Sequence, residues 1–416
     1  MKVAYYSPLP PDRSGIADYS ALLLPALARR IEVEVVRRGV RRAPRKADAF
    51  LYHVGNDPER HAWIVEALRK HPGVVVLHDF VLHHLVAGMT LGRGDGVAYV
   101  QAMQREAGVV GRLLAHGVID GVVPPLWETR AEEFPLSGEV LEHATALIVH
   151  SRYVHERARE AGYGRRIWQI PHPVWRPPEA PPDRALPTDR SIVIGSFGNL
   201  TATKRIPQLL DAFARIRSRV PEAVLVLAGA PAPGFDLAVH LERLGLRLDE
   251  NVLYLGYVRE EQLWSVIARS DICVSLRYPT MGETSGVVIR ALALGRPVVV
   301  SDVGWFSELP ESVVAKVPVD EWEVDTLAAV LERLCEDPQL RNRLGENGRE
   351  HMRSEHDLDL VAERYAAALE QEAGGELVRD AVVEELARAA SDVGIGADDP
   401  ELELLARRLA EVGLGD

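Results

Sequence analysis

Residues 272–301 read ICVSLRYPTMGETSGVVIRALALGRPVVVS: a short apolar run, a polar loop, an apolar helix-permissive run and a second apolar run. Two strand-length runs flanking one helix predict a βαβ unit, whose strands must be parallel. The same alternation extends outward. Upstream lie SIVIGSFG (191–198), AVLVLAG (223–229) and VLYLG (252–256), and downstream AKVPV (315–319). Helices are expected at about 204–219, 235–246, 259–270, 286–295 and 323–335. This is the pattern of a doubly wound sheet, whose ligands bind beyond the carboxyl ends of the strands.

A second series precedes it. KVAYYS, VEVVR, AFLYHV, VVVLHD, ALIVHS and IWQIPH are strand-like and are mostly separated by helical stretches, such as Ala17–Arg30, Pro58–Lys70, Gly96–His116 and Tyr153–Ala161. Between the two series Pro171–Pro187 holds seven prolines, which break helix and central strand alike. The expected fold class is therefore α/β, with two Rossmann-like doubly wound parallel-sheet domains facing across a cleft and a helical tail. The expected boundaries are 1–172, a Pro-rich linker at 173–190, a second domain at 191–356, a helix at 357–373 returning to the first domain, and an acidic extension at 374–416. Gly374-Gly375 is expected to interrupt the helix, leaving two short amphipathic helices at Leu377–Ala390 and Pro400–Val412. The tail is expected to pack on a domain; self-association and partner binding are open alternatives.

Composition excludes several classes. With 47% hydrophobic and 26% charged residues, the 416-residue chain reads as globular, and no apolar run is long enough to span a bilayer. MKVAYYSPLPP does not read as a signal peptide, and Cys273 and Cys335 read as buried hydrophobes, so the expected location is the cytoplasm. A net charge of −13 argues against nucleic acid, and residues 376–416 carry eleven acids against four arginines, a net −7 of that total. The basic run from Arg37 to Lys46 is either a solvated loop, the plainer reading, or a peripheral contact with anionic lipid at the inner face of the membrane or with a phosphorylated acceptor.

Two loops carry chemistry. In Arg277–Gly286 the backbone amides of Thr284, Ser285 and Gly286 fall at a helix N-terminus, whose dipole suits a diphosphate. Glu283 would repel phosphate and is better used on sugar hydroxyls. After the strand SIVIGSFG, Asn199-Leu-Thr-Ala-Thr-Lys204-Arg205 leads into a helix. Only five of the chain's 48 basic residues are lysines, and Lys204 sits where the dipole disfavours a cation, a conflict that an anionic ligand removes. Lys204 and Arg205 could neutralise a leaving diphosphate.

The segments "FG…TK…LLDAF" and "ETSGVVIRALALGRPVVVSDVG", together with Ser14-Gly15-Ile-Ala-Asp-Tyr and Leu77-His78-Asp79, resemble glycosyltransferase family 4, a large retaining family of GT-B fold. The resemblance covers about residues 1–370 and extends through Glu308. It implies that Lys204 contacts the donor diphosphate and Glu283 the donor-sugar hydroxyls. It also implies that Gly15 lets backbone approach the donor phosphate or the acceptor, and that His78 lies near the sugar's reacting face. Two positions depart from the family. Ala291 stands where a second glutamate holds the ribose, with Arg290 taking that place if one residue is deleted. Asn199 stands at a phosphate-binding arginine, a charge that Arg205 or Arg277 would supply instead.

No metal or cofactor is expected. His78, His83 and His84 lack companion ligands, and the Asp357/Asp359 pair reads as a helix N-cap. A nucleophile elbow, a P-loop and a dinucleotide fingerprint are all missing. The expected activity is transfer of a sugar from a nucleoside-diphosphate sugar to the hydroxyl of a carbohydrate, lipid-linked or other acceptor, with retention, for instance in glycan or glycolipid synthesis. Two rivals stand beside it: an epimerase of the same fold, and a catalytically weak nucleotide-sugar-binding or scaffold protein.

Overall fold

The computed structural model describes residues 1–39, 47–178, 192–232 and 234–392, with positions 395, 399, 404, 407 and 408. Arg41, Arg42, Arg45 and Lys46 of the basic cluster lie outside the described residues, as do the expected linker beyond Pro178 and most of 400–412.

Six strands form the first sheet: β1 (Lys2–Tyr6), β2 (Glu32–Val36), β3 (Ala49–Val54), β4 (Gly73–Leu77), β5 (Ala144–Val149) and β6 (Arg166–Gln169). Six form the second: β7 (Val193–Phe197), β8 (Val224–Ala228), β9 (Val252–Tyr254), β10 (Ile272–Ser275), β11 (Val298–Ser301) and β12 (Val314–Val317). The orders are β2-β1-β3-β4-β5-β6 and β12-β11-β10-β7-β8-β9, with every pairing parallel. The winding reverses between β1 and β3 in one sheet and between β7 and β10 in the other. Loops at such switch points diverge and leave a crevice.

The helices of the first domain are α1 (Gly15–Leu27), α2 (Pro58–Leu68), α3 (His83–Met89), α4 (Gly96–Ile119), α5 (Leu126–Thr129), α6 (Gly138–His143) and α7 (Arg152–Glu160). Those of the second are α8 (Ile206–Ile216), α9 (Leu237–Arg243), α10 (Glu260–Arg269), α11 (Gly286–Ala293), α12 (Gly304–Glu308) and α13 (Glu323–Glu336), followed by α14 (Pro338–Glu355) and α15 (Leu358–Asp392). Each sheet has a hydrophobic cluster on both faces. None of the described helices is long and apolar enough to cross a membrane.

Two elements differ from expectation. A straight helix over Gly96–Ile119 would be roughly 36 Å long, yet a Cβ on Gly96 would lie 3.3 Å from Ile119 Cδ1. The chain folds back at Ala107 and Gly108, where Gly108 takes φ +59°, so α4 is a helical hairpin. Secondly, Gly374-Gly375 does not interrupt: α15 runs 35 residues through both. Its first half, from Val361 to Ala373, is buried in the same cluster as Val3, Tyr5, Tyr19 and Leu23. Glu372 also accepts from Trp168 Nε1 at 2.9 Å. A helix nucleated by that packing crosses each glycine at a cost of only about 1 kcal/mol.

The domains touch beside the crevice. Met281 O accepts from Phe80 N at 2.7 Å and Val81 N at 3.0 Å. The Glu308 carboxylate on α12 accepts from Arg152 N at 2.9 Å and Tyr153 N at 2.7 Å, capping α7 across the domain boundary.

Candidate active site

Two helix N-termini open on the crevice. At α1, Ser14 caps by accepting from Ala17 N, and a Cβ built on Gly15 would meet nothing within 4 Å. At α11, Ser285 caps by accepting from Val288 N. Ser14, Gly15, Thr284 and Gly286 all line one cavity of about 300 Å³, with His78, Glu283 and Arg290 also on its wall. Thr284 Oγ1 is buried there without a hydrogen-bond partner.

The floor is made of imidazoles, of which only His78 was expected from the sequence. His53 lies in β3, His78 follows β4, His150 follows β5, and His172 stands three residues beyond β6. Four adjacent strands thus each have a histidine at or shortly beyond their carboxyl end. The signal was present in LYHV, VLHD, IVHS and IPHP, and a recurrence check at strand ends would have found it. The Tyr19 ring lies among the four, with centroids 4.7–5.7 Å away, and its hydroxyl is 2.6 Å from that of Tyr365 on α15. His61 on α2 joins the cavity wall.

Hydrogen bonds set the protonation of these rings. Nδ1 of His61, His150 and His172 lies 3.1, 2.8 and 2.8 Å from the carbonyl oxygens of His53, Ile170 and Pro173. A carbonyl can only accept, so each Nδ1 carries the proton. Burial disfavours the imidazolium, lowering His61 and His150 to about 4 and His172 well below the ordinary range. His53 Nδ1 and His78 Nε2 are 3.0 Å apart, so one donates to the other, and burial lowers both pKa values strongly. Asp79, next to His78, accepts from Asn56 N at 2.8 Å. Burial first, then the charge of Glu283 across the crevice, push its carboxyl up to about 7.

The opposite wall is built of paired charges. Glu283 Oε1 is 2.6 Å from Arg277 Nε, and its Oε2 accepts from Thr280 Oγ1 and Met281 N at 3.0 and 2.8 Å. Lys204 folds back so that Nζ donates to Phe197 O at 3.3 Å, filling the space a Cβ on Gly198 would take. Burial, reinforced by Arg277, lowers its ammonium to about 7 against the opposing pull of Glu283. Lys204, Arg277 and Glu283 therefore form one electrostatic group, although only Glu283 reaches the cavity.

Arg205 does not face the crevice. Its Nε lies 3.0 and 3.1 Å from the two oxygens of Glu323, which is 2% exposed, and its own backbone is left-handed at φ 55°. Asn199 is exposed and lies off the cavity wall. Ser285 serves as the cap of α11. On α11, Ala291 is buried in the core while Arg290, one turn after Gly286, shares the cavity face. Arg290 is not a free cation, however. It donates to Gly286 O at 3.1 Å and to Glu260 Oε1 at 2.8 Å, and its guanidinium stacks 3.6 Å from the Trp175 ring centre. Trp175, in the segment read as linker, and His172, the last residue of the expected first domain, line the cavity.

His83 bonds Tyr99 at 2.8 Å, away from the crevice, and Asp357 caps α15 by accepting from Asp359 N and Leu360 N. Among the described residues, no group of three or more His, Cys, Asp or Glu side chains could hold a metal ion.

Residues 180–351 match the family described as glycosyl transferases group 1, so the chain carries a domain of that family. Alpha-D-kanosaminyltransferase of Streptomyces kanamyceticus is 28% identical over 43% of this chain and 45% of its own length. A GDP-mannose-dependent phosphatidylinositol monomannoside mannosyltransferase of Corynebacterium glutamicum is also 28% identical, over 44% of this chain and 49% of its own. The chain thus spans about half the length of the curated relatives it matches. The solved structure of sucrose-phosphate synthase from Thermosynechococcus elongatus superposes with a TM-score of 0.60 at 21% identity, covering 89% of this chain and 98% of that one. Anabaena HepE with UDP and glucose superposes at 0.57 and 18% identity, covering 89% and 100%. The fold is GT-B.

Proposed function

We propose that this chain is a retaining glycosyltransferase that moves a sugar from a nucleoside-diphosphate sugar to an acceptor hydroxyl. The observation that carries the reading is the convergence of α1 and α11, one from each domain, on a cavity at both switch points, with Glu283 and Thr284 on its wall. The names of the relatives, one of them GDP-mannose-dependent, favour transfer over epimerisation and support a nucleotide-sugar donor.

In this reading the diphosphate sits at the N-terminus of α11, where amides and dipole compensate its charge. Lys204 leaves Phe197 O and becomes fully charged against it. Glu283 turns its carboxylate to the sugar hydroxyls, while Arg277 swings to the phosphate. The acceptor hydroxyl attacks the anomeric carbon on the face the phosphate leaves, and its proton passes to that phosphate, so the configuration is retained. His78 stands beside the reacting face. Lys204, Arg277 and the amides supply the positive charge, and the reading assigns no resident metal.

The test is a panel of nucleotide sugars screened by thermal shift, because binding to the native state raises its stability. Transfer by the stabilising donor is then followed with and without a chelator, and the anomeric configuration of product is read by NMR. An inverted product, or loss of activity on chelation that divalent ions restore, would refute the corresponding part. Conversion of donor to an isomer without acceptor would favour the epimerase.

A further inference from the structure

We infer that the imidazole floor makes the first domain a reader of neutral polyhydroxylated acceptors, excluding phosphorylated ones. This rests on the glycosyl-transfer reading and names its acceptor class. His61, His150 and His172 each spend their single ring proton on a backbone carbonyl. Their Nε2 atoms are consequently lone pairs, able only to accept. His150 Nε2 is buried at the cavity wall with no partner, an acceptor already desolvated and awaiting a donor.

The partner of a lone pair must be a hydroxyl or an amine. The phosphoryl group of a phosphorylated sugar, as the dianion, brings acceptors only, so it would meet these lone pairs without a proton to share. The charges on the wall point the same way. Asp57, Asp79 and Glu283 present carboxyl groups, and the one cation on that wall among the described residues, Arg290, is already paired with Glu260. Neutral imidazoles are also held neutral by burial, so an anion gains little by charging them. A sugar or cyclitol ring carries several hydroxyls and so can supply a donor to each lone pair. Phosphate recognition is left to the second domain, where Lys204 and Arg277 lie behind Glu283.

The experiment uses the full chain with isotope-labelled histidine nitrogens. Long-range proton–nitrogen correlation at neutral pH should place the proton of His61, His150 and His172 on Nδ1. Glucose, myo-inositol and methyl glucoside should shift the Nε2 signals, and phosphorylated glucose or inorganic phosphate should bind these atoms at least tenfold more weakly. His150→Phe should lower affinity for the neutral probes about tenfold, with His150→Gln restoring part of it and nucleotide binding unchanged in both. Protons found on Nε2 would overturn the inference, as would equal or tighter binding of the phosphorylated sugar or no response to any neutral polyol. The histidine correlation needs no variant, so a misfolded His150→Phe does not obscure the result. Failure of transfer with every nucleotide sugar, with the tautomers as stated, would instead sink the glycosyl-transfer reading.

Discussion

The two walls of the crevice solve the problem of buried polarity in opposite ways. On the first domain, imidazoles are neutral and locked by backbone carbonyls, so the wall is preorganised before any ligand arrives. On the second, the arginines Arg277 and Arg290 are balanced by Glu283 and Glu260, as Arg205, off the crevice, is by Glu323. Lys204 is left in the middle, partly discharged by burial. A neutral ligand needs only shape and hydroxyls to join the first wall. A charged ligand must exchange partners on the second, which makes that wall the responsive one.

The largest break of this comparison is Lys204→Ala. If Lys204 stabilises the departing phosphate, initial rates should fall about 10²- to 10³-fold, with circular dichroism and melting little changed. Full turnover with the natural donor would remove it from the mechanism. Arg205→Ala separates structure from chemistry in the same domain. It strands the buried Glu323 carboxylate and should cost roughly 3 kcal/mol in urea unfolding, with donor affinity changed less than rate-limiting cations would require. Arg205→Ala with Glu323→Leu should recover most of that stability, and no recovery would refute the pairing account.

A smaller effect comes from protonation. The folded-state pKa of Lys204 is about 7, below the ordinary 10.5. Between those values the unfolded chain binds the extra proton, so this group makes stability rise as pH climbs from 7 toward 10.5. Below about 7 both states are charged, and the cost of the buried charge is fully present. A diphosphate should raise the native pKa again. Donor binding near pH 8 is therefore expected to take up close to one proton, measured calorimetrically in buffers of different ionisation enthalpy. Lys204→Met should abolish both signals. The smallest change touches neither wall. Gly374→Ala lies in the open interior of α15, where a Cβ meets nothing within 4 Å, and should stabilise by about 0.5–1 kcal/mol in thermal unfolding. Destabilisation would argue against a continuous helix.

The legibility of these features follows their range along the chain. The Glu283–Gly286 turn and the N-terminus at Gly15 were readable because a strand, a cap and a helix are neighbours in sequence. The histidine row was readable too, since each member lies at or near a strand's carboxyl end, but only once all four strand ends are compared. Three other features were not. Arg205 and Glu323 are 118 residues apart, so nothing local distinguishes an ion-paired arginine from a phosphate-binding one. Nor does local pattern tell that Arg290 stacks on Trp175 from a segment rich in proline. Gly374-Gly375 reads locally as a break, and the packing of the preceding turns on α1 overrides it.

By itself, then, the sequence determined two doubly wound sheets, their order along the chain and the loops at which chemistry could occur. Strand and helix periodicities, caps and turn residues act over a few positions, and those short-range terms decide such elements. The tertiary structure alone decided which charges are free. An arginine or lysine has the same intrinsic charge everywhere, and only its distant neighbours and its burial settle whether that charge is spent on a carboxylate, suppressed by desolvation, or left for a ligand. It also decided that four histidines from four strands meet around Tyr19, because parallel strands bring their carboxyl ends to one edge whatever the length of chain between them.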